Sequence, residues 1–186
     1  PPLVPKGVAV AAYKLKRAAS PQTHHYLRGL EGHVRTGQEA ARVAMAIKAK
    51  GFTPDVICAH PGWGESLYLK DVFPDAKILC FWEFFYRARG TDVGFDPEYP
   101  AALDDQFRVR TKNATQLLAL ESADWGVSPT QWQWSGYPAA HRPRISVIHD
   151  GIDTAHVAPK PDTVLTLADG ARFTAEDEVL TYVARN

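Results

Sequence analysis

The chain has 186 residues, of which 45% are hydrophobic and 23% charged, a composition typical of one ordinary globular α/β domain with a sizeable core. Its 21 basic residues balance 21 acidic ones, so the formal net charge is zero. This balance argues against a nucleic-acid polymer as the main partner, because phosphate binding needs a basic excess or a dense basic face. Two basic clusters, Lys14–Arg17 and Arg87–Arg89, are interpreted as solvated surface, with a peripheral contact to anionic membrane lipid or a charged ligand as the alternative.

Cysteine usage and hydropathy indicate the compartment. Cys58 and Cys80 each follow apolar residues near the end of a predicted strand, so we expect buried free thiols in a reducing cytosol. No apolar run approaches the roughly 18 residues that a membrane-spanning helix needs, and no signal peptide is visible. The chain begins at Pro1, which leaves a leader removed by truncation as an alternative to the expected cytoplasmic location.

The first third of the chain alternates between strand and helix signals. Residues 7–13 are apolar and predict a short strand, and residues 25–50 are Ala-rich with apolar side chains at helical spacing. Gly51 follows where a helix end favours a residue that tolerates left-handed geometry. Residues 55–59 are apolar on both faces, as in a buried parallel strand.

The alternation continues to residue 148. We expect a short helix over 65–72, a second buried strand over 77–81 and a long Gly-, Asp- and Pro-rich loop over 86–100. After this loop the pattern predicts helix 101–123, strand 124–128, helix 129–136 and strand 144–148. The apolar face of the 101–123 helix is expected to carry Leu103, Phe107, Ala114, Leu117 and Leu118. The fold class is therefore α/β, a Rossmann-like parallel sheet with helices on both faces.

After Asp153 the pattern changes. A Pro-containing linker leads to residues 163–167 and 171–174, which flank Ala-Asp-Gly, a strong signal for a β-hairpin. Residues 178–186 predict the first strand of a second domain. We therefore predict domains over residues 1–153 and 154–186.

Ligands of open parallel sheets bind beyond the carboxyl ends of the strands. The 55–59 strand is followed by His-Pro-Gly-Trp-Gly-Glu-Ser, where two glycines let the backbone approach a ligand and Trp63 offers a flat face suited to a sugar ring. The candidate ligand-binding residues are His60, Gly62, Trp63, Gly64 and Glu65. The alternative is a tight strand-to-helix turn with a buried Trp63.

The next strand is followed by one carboxylate, Glu83, among five aromatic residues. Apolar surroundings favour the neutral form of a carboxyl group and help it accept a proton near neutral pH. We therefore predict a catalytic Glu83; the alternative is that Glu83 pairs with Arg87 or Arg89. His149, Asp150 and Gly151 follow the last predicted strand, where either an interdomain cleft or a plain turn is expected.

Two other chemistries have weak signals. The sequence has no His-Glu-x-x-His motif and no paired Cys spacing, and His24-His25 alone is a poor metal site, so neither a metal nor a cofactor is expected. Gly64-Glu65-Ser66 matches only the first half of a nucleophile elbow.

Five segments together resemble the acceptor-side domain of GT-B glycosyltransferases, and more narrowly the retaining glycosyltransferase family four, also called group one. They are DVICAHPGWGE at 55–65, DVFPD at 71–75, GFDP at 94–97, ADWGVSPTQW at 123–132 and ISVIHDGIDT at 145–154. In the last segment His149-Asp150 replaces the family's Pro-Asn. Residues 179–186 are similar to the family's next element, a strand ending in Gly-Arg, which implies that Arg185 contacts the donor diphosphate.

This resemblance implies transfer from a nucleotide-sugar donor to a glycan or lipid-linked acceptor, with retained anomeric configuration and usually without a metal, as in polysaccharide biosynthesis. The residues around His60 to Glu65 are then the acceptor site. Glu83 stands in the loop where many members carry a functional His. The resemblance also implies a fragment without the family's first strand and without its downstream lysine and glutamate pair, so the isolated chain is expected to be inactive.

Three further expectations complete the analysis. The 55–59 strand would have an open edge, which predicts pairing with residues 7–13 or a homodimer through that edge. An α/β hydrolase using Ser66 with His149 and an acid is one alternative function. A non-catalytic carbohydrate- or partner-binding domain on a Rossmann-like scaffold is the other.

Overall fold

The computed structural model describes residues 4–91 and 93–180. Its centre is a four-stranded parallel sheet whose spatial order, β1-β2-β3-β4, follows the chain. The strands are β1 (Val56–Ala59), β2 (Lys77–Phe81), β3 (Trp125–Ser128) and β4 (Ile145–Val147). The helices that flank the sheet are α1 (Arg28–Ala49), α2 (Leu69–Val72), α3 (Leu103–Lys112), α4 (Ala114–Ser122) and α5 (Gln131–Gly136). The predicted α/β class with a Rossmann-like parallel sheet is confirmed.

The chain divides into two compact units, one ending at His149 and the other beginning at Asp150. The second unit contains the predicted antiparallel hairpin, formed by β5 (Leu165–Thr166) and β6 (Arg172–Phe173). The hairpin turn includes Gly170 at φ 89°, a left-handed conformation that favours glycine. The predicted strand over 178–186 is not formed in its described residues 178–180, and the rest of it lies outside the described part of the chain.

The core of the first unit lies on one face of the sheet. Ile78, Cys80 and Ile145 point to this face and pack against Ala119 and Leu120 of α4. A second apolar cluster joins α1 to the region around α2 and consists of Ala41, Ala44, Val72, Phe73 and Ala76. The small Ala side chains of α1 allow this long helix to lie close to its neighbours.

Asp124 anchors the start of β3 beside β2. Its carboxylate accepts a hydrogen bond from Lys70 Nζ at 2.9 Å, from the Ile78 backbone N–H at 2.9 Å and from Lys77 Nζ at 3.2 Å. These hydrogen bonds, that of Lys70 first, hold the pKa of Asp124 well below its usual range. The register of the two central strands is thus supported by charge as well as by apolar packing.

Residues 7–13 do not form the predicted strand. They are exposed and belong to no regular element, and β1 is the end strand of the sheet with no strand partner on its outer edge among the described residues. A run of Val and Ala is compatible with a strand, but a strand needs a neighbour for its backbone hydrogen bonds. The expected pairing of residues 7–13 with β1 is therefore wrong in this structure.

The first strand is also not buried on both faces. Val56 is 56% exposed and Cys58 is exposed, whereas Ile57 is partly buried against the core. The expectation of two buried thiols is thus right for Cys80 and wrong for Cys58. An end strand has fewer neighbours than a central one, so its second face keeps more contact with solvent.

Two predicted helices differ from the structure. The 65–72 helix is reduced to α2, which is preceded by a 3₁₀ turn over Pro61–Trp63. The 101–123 helix is divided at Asn113 into α3 and α4. Most of its predicted apolar face is between 46% and 62% exposed, namely Leu103, Phe107, Leu117 and Leu118. The buried side instead carries Val109, Thr115, Gln116, Ala119 and Leu120.

Candidate functional site

The loops that follow β1 and β2 meet at the carboxyl edge of the sheet. The two strands are parallel neighbours, with Ala59 beside Cys80, so the residues that follow them are carried to the same place. His60 and Glu83 contact each other there, with 3.1 Å between His60 Nε2 and Glu83 Oε2. The alternative in which Glu83 pairs with Arg87 or Arg89 is not the arrangement in the structure.

The hydrogen bonds of His60 define how its ring acts. Its Nδ1 accepts the backbone N–H of Gly62 at 3.1 Å. Because an amide N–H only donates, Nδ1 carries no proton, and the neutral ring then has its proton on Nε2, from which it donates to Glu83. The second carboxylate oxygen of Glu83 makes no hydrogen bond within the described residues, and the side chain is 45% exposed.

Trp63 forms a platform beside this pair. Its ring stacks on His60 with 4.3 Å between centroids and 25° between planes. The residue is 50% exposed, so the alternative of a buried core Trp63 is not supported. A half-exposed aromatic face next to hydrogen-bonding groups is suited to a sugar ring, which presents both apolar C–H groups and hydroxyls.

The loop that carries Glu83 is fixed by polar side chains of α4 and its start. Asn113 accepts the backbone N–H of Tyr86 at 3.0 Å and donates to the carbonyl of the same residue at 2.7 Å. Gln116 donates to the carbonyl of Phe84 at 2.5 Å. These contacts satisfy the backbone of a segment without regular structure and hold Glu83 in place.

The two loops and helices α1, α3 and α4 enclose a cavity of about 180 Å³. Its polar and aromatic lining includes His33, His60, Trp63, Glu83, Tyr86 and Lys112. The Lys112 ammonium lies 3.7 Å from the centroid of the Tyr86 ring, a cation–π contact. His33 Nδ1 lies 2.8 Å from Thr115 Oγ1. Burial lowers the pKa of His33, and the negative charge of Glu65 offsets part of this shift.

Gly64 supports the site without lining the cavity. Its φ is 99°, and a Cβ at this position would lie 2.1 Å from the carbonyl oxygen of His33. The loop therefore approaches the backbone of α1 so closely that only glycine fits. Gly64 belongs to the support of the loop.

Glu65 also turns away from the cavity. Its Oε1 accepts the hydroxyl of Tyr13 at 2.7 Å, and its Oε2 is buried without a hydrogen-bond partner in the described residues. Partial burial and the hydrogen bond to Glu65 raise the pKa of Tyr13 to about 12. Glu65 thus ties the amino-terminal segment to the loop.

The structure brings together four of the predicted residues, His60, Gly62, Trp63 and Glu83. Gly64 and Glu65 belong to the same loop but do not line the cavity, His149 ends the first unit, Asp150 and Gly151 begin the second, and Arg185 lies outside the described residues. His149, Asp150 and Gly151 are exposed, and Gly151 has a φ of 82°.

The sequence analysis missed His33 and Lys112. Both lie on helices, where a single polar residue carries no local signal for a site. Only the packing of α1 and α3 against the two loops brings them to the cavity.

A family model described as a glycosyl transferase family 4 group matches residues 2–157. The chain belongs to this family. It contains a GT-B glycosyltransferase N-terminal domain, which makes it a transferase with a sugar donor and an acceptor as partners. The match covers both loops of the candidate site. No curated protein matches the chain.

Three further observations concern a hydrolase site, a metal site and a membrane-spanning helix. Ser66 is 1% exposed, and its Oγ has no hydrogen-bond partner in the described residues, whereas a hydrolase nucleophile needs an adjacent base. In the same residues no group of three His, Cys, Asp or Glu side chains could hold a metal ion. None of the helices described is long and apolar enough to cross a bilayer.

Proposed function

We propose that this domain belongs to a retaining glycosyltransferase and binds the acceptor in the cavity between Trp63 and Glu83. The donor is a nucleotide sugar, and the acceptor is a glycan or a lipid-linked sugar. The observation that carries the proposal is the exposed Trp63 ring beside a carboxylate with one unengaged oxygen, in a domain of the glycosyl transferase family 4 group. An aromatic face binds the ring of the acceptor sugar, and the carboxylate orients its hydroxyl.

Glu83 is the proposed proton acceptor in this reaction. To retain the configuration, the acceptor oxygen forms its bond to the anomeric carbon on the face from which the diphosphate departs, the bond from that carbon to the diphosphate breaks, and the hydroxyl proton moves to the free oxygen of Glu83. His60 holds the other oxygen through its Nε2–H at 3.1 Å. His60 is therefore a positioning residue rather than the base, since its Nδ1 is occupied by the Gly62 amide.

The predicted residues after the last strand of the sheet have other proposed roles. We propose that Arg185 contacts the donor diphosphate and that His149, Asp150 and Gly151 line an interdomain cleft. A guanidinium suits this contact because it offers two parallel N–H donors to phosphate oxygens. Replacing Arg185 with Ala is expected to raise the KM for the donor more than that for the acceptor.

Acceptor binding can be tested without knowledge of the donor. The ¹⁵N-labelled protein is titrated with a panel of neutral mono- and disaccharides, and NMR follows the indole N–H of Trp63 together with the backbone amides of His60, Gly62 and Glu83, which also line the cavity. We expect saturable shifts at all of these groups, and those of the backbone amides should disappear in Trp63→Ala. They should persist in Trp132→Ala, which removes an indole that is 60% exposed and does not line this cavity. Equal responses of the two variants, or shifts confined to other parts of the domain, would contradict the proposal.

A further inference from the structure

A second cavity lies between the amino-terminal segment and α1. It measures about 380 Å³ and shares no lining residue with the cavity between Trp63 and Glu83. Its charged and apolar lining consists of Leu15, Lys16, Arg17, Arg35, Glu39 and Arg42. We call this cavity the basic cleft, because four of these six side chains are cationic and one is acidic.

The acids near the basic cleft neutralise only part of its charge. Arg35 donates from Nε at 3.0 Å and from Nη2 to the same oxygen of Glu31, and Arg42 pairs with Glu39. Glu31 stays ionised over the physiological range, because hydrogen bonds from Thr23 and Arg35 lower its pKa to about 2. Lys16 and Arg17 form no ion pair within the described residues, so two of the four positive charges remain without a counter-charge.

This excess has a local origin in a chain whose formal net charge is zero. Glu31 is the first acidic residue in the sequence. It is preceded by five cations, Lys6, Lys14, Lys16, Arg17 and Arg28. The positive charge is therefore concentrated on the segment that forms one wall of the basic cleft, where it produces a positive potential that the net charge does not reveal.

The segment that carries Lys16 and Arg17 is held at both ends. The Tyr13 hydroxyl donates to Glu65 at 2.7 Å, and the Ser20 backbone N–H donates to Glu31 at 3.2 Å. These anchors lie three residues before Lys16 and three residues after Arg17 in the sequence. The two unpaired cations are thus placed opposite α1 rather than on a free tail.

We propose that the basic cleft binds a phosphate group, either of a soluble phosphate ester or of a lipid headgroup. Two uncompensated positive charges match a phosphate dianion, and the planar guanidinium group of Arg17, unlike those of Arg35 and Arg42, is not held by a carboxylate in the described residues and offers paired N–H donors that fit its oxygens. The cleft is large enough for a phosphate with part of the group to which it is esterified. This binding is separate from the proposed acceptor site and does not depend on it.

The first experiment uses soluble phosphate. The ¹⁵N-labelled protein is titrated with inorganic phosphate and pyrophosphate at constant ionic strength, with sodium chloride as the reference salt. We expect saturable shifts in the amides of residues 15–17 and in the Nε–H groups of Arg35 and Arg42. The double variant Lys16→Gln/Arg17→Gln should weaken the apparent affinity by about tenfold or more, because it removes charge-assisted hydrogen bonds. Its spectrum elsewhere should match the wild type, since both side chains are exposed.

A matched control removes the same charge elsewhere. Lys160→Gln/Arg172→Gln changes two exposed cations of the second unit and should bind phosphate like the wild type. Co-sedimentation with phosphatidylglycerol vesicles, against phosphatidylcholine vesicles, distinguishes the source of the phosphate. Vesicle binding that the Lys16/Arg17 variant loses and the control keeps would identify a lipid headgroup, and saturation by soluble phosphate alone would identify a phosphate ester. The proposal is overturned if neither probe binds, or if both double variants lose binding equally.

Discussion

At the scale of single residues, the roles that we propose for His60 and Glu83 rest on one backbone amide. The Gly62 N–H occupies His60 Nδ1, which leaves Nε2 as the donor to Glu83. A His in this loop would ordinarily be the first candidate for a general base, because its unperturbed titration lies near neutral pH. In the reaction that we propose, this geometry favours the carboxylate as the proton acceptor and the imidazole as the positioning group.

Glu83→Gln should lower glycosyl transfer by roughly 10²–10⁴-fold while changing stability little. The amide keeps the size of the side chain and can still accept the His60 N–H, but it cannot accept the acceptor's proton. The side chain is 45% exposed, so the fold does not depend on its charge. Initial rates of glycosyl transfer and the melting temperature of each protein provide the measurement. Near-wild-type turnover of Glu83→Gln would show that Glu83 is not the base.

Glu31 should make stability depend on pH in the acid range. Its pKa is lowered from 4.5 to about 2 by hydrogen bonds from Thr23 and Arg35. Its contribution to stability is therefore complete above pH 4.5 and is lost as the pH falls from there towards 2, where the folded protein also takes up the proton. Urea unfolding at pH 6, 4, 3 and 2 should show a smaller loss of unfolding free energy with falling pH for Glu31→Gln than for the wild type.

The control for this series is Glu176→Gln, an exposed carboxylate of the second unit. Asp124 also has a lowered pKa, so the decrease of unfolding free energy with falling pH should become smaller in Glu31→Gln but should not vanish. The same decrease of unfolding free energy with falling pH in the wild type, Glu31→Gln and Glu176→Gln would mean that Glu31 contributes nothing to this decrease.

At the scale of the elements, the sheet and its connections could be predicted because they depend on the alternation of strand and helix signals along the chain. Residues 77–81, 124–128 and 144–148 contain apolar runs between polar turns, and each contains a strand of the sheet. The loops after β1 and β2 could also be predicted as a site, since parallel neighbours end at the same edge. His33 and Lys112 could not, because only the packing of helices brings them there.

The buried face of the 101–123 region shows why periodicity alone was insufficient. Leu117 and Leu118 are apolar and exposed, whereas Asn113 and Gln116 are polar and buried. The buried pair forms hydrogen bonds with the backbone of residues 84–86. The free-energy cost of leaving these backbone groups without partners exceeds the gain from burying the two leucines. An apolar pattern contains no information about such long-range polar partners.

The loop 60–66 should depend on Gly64 more than on an ordinary turn glycine. In Gly64→Ala the new Cβ would lie 2.1 Å from the His33 carbonyl oxygen, in addition to the strain of a φ of 99°. We expect a loss of unfolding free energy of about 2–4 kcal/mol, combining the left-handed strain with the displacement of α1. Chemical denaturation monitored by circular dichroism measures this loss.

Gly51→Ala is the matched control, because Gly51 has a φ of 88° and nothing within 4 Å of its Cβ position. It should show only the conformational cost, about 1–2 kcal/mol. Equal losses in both variants would mean that the loop and α1 can move apart at little cost in free energy. Gly64 would then not be needed to hold the loop in place.

At the scale of the whole molecule, the outer edge of β1, which has no strand partner among the described residues, is open to association. An end strand with unpaired N–H and C=O groups is a template for another strand, and natural proteins protect such edges with charges or prolines. Residues 56–59 are Val-Ile-Cys-Ala and offer no charge, while Val56 is 56% exposed. We propose that a second copy of the chain pairs along this edge.

This pairing predicts concentration-dependent self-association. The weight-average mass from sedimentation velocity should rise above that of a monomer as the concentration increases. Val56→Lys places a charge on the edge strand, where a second strand would have to desolvate it, and should weaken the association by about tenfold. Val157→Lys is the control, because it adds the same charge at a residue that is 57% exposed and lies in the second unit. A wild type that stays monomeric at every concentration, or equal weakening by both variants, would exclude association through β1.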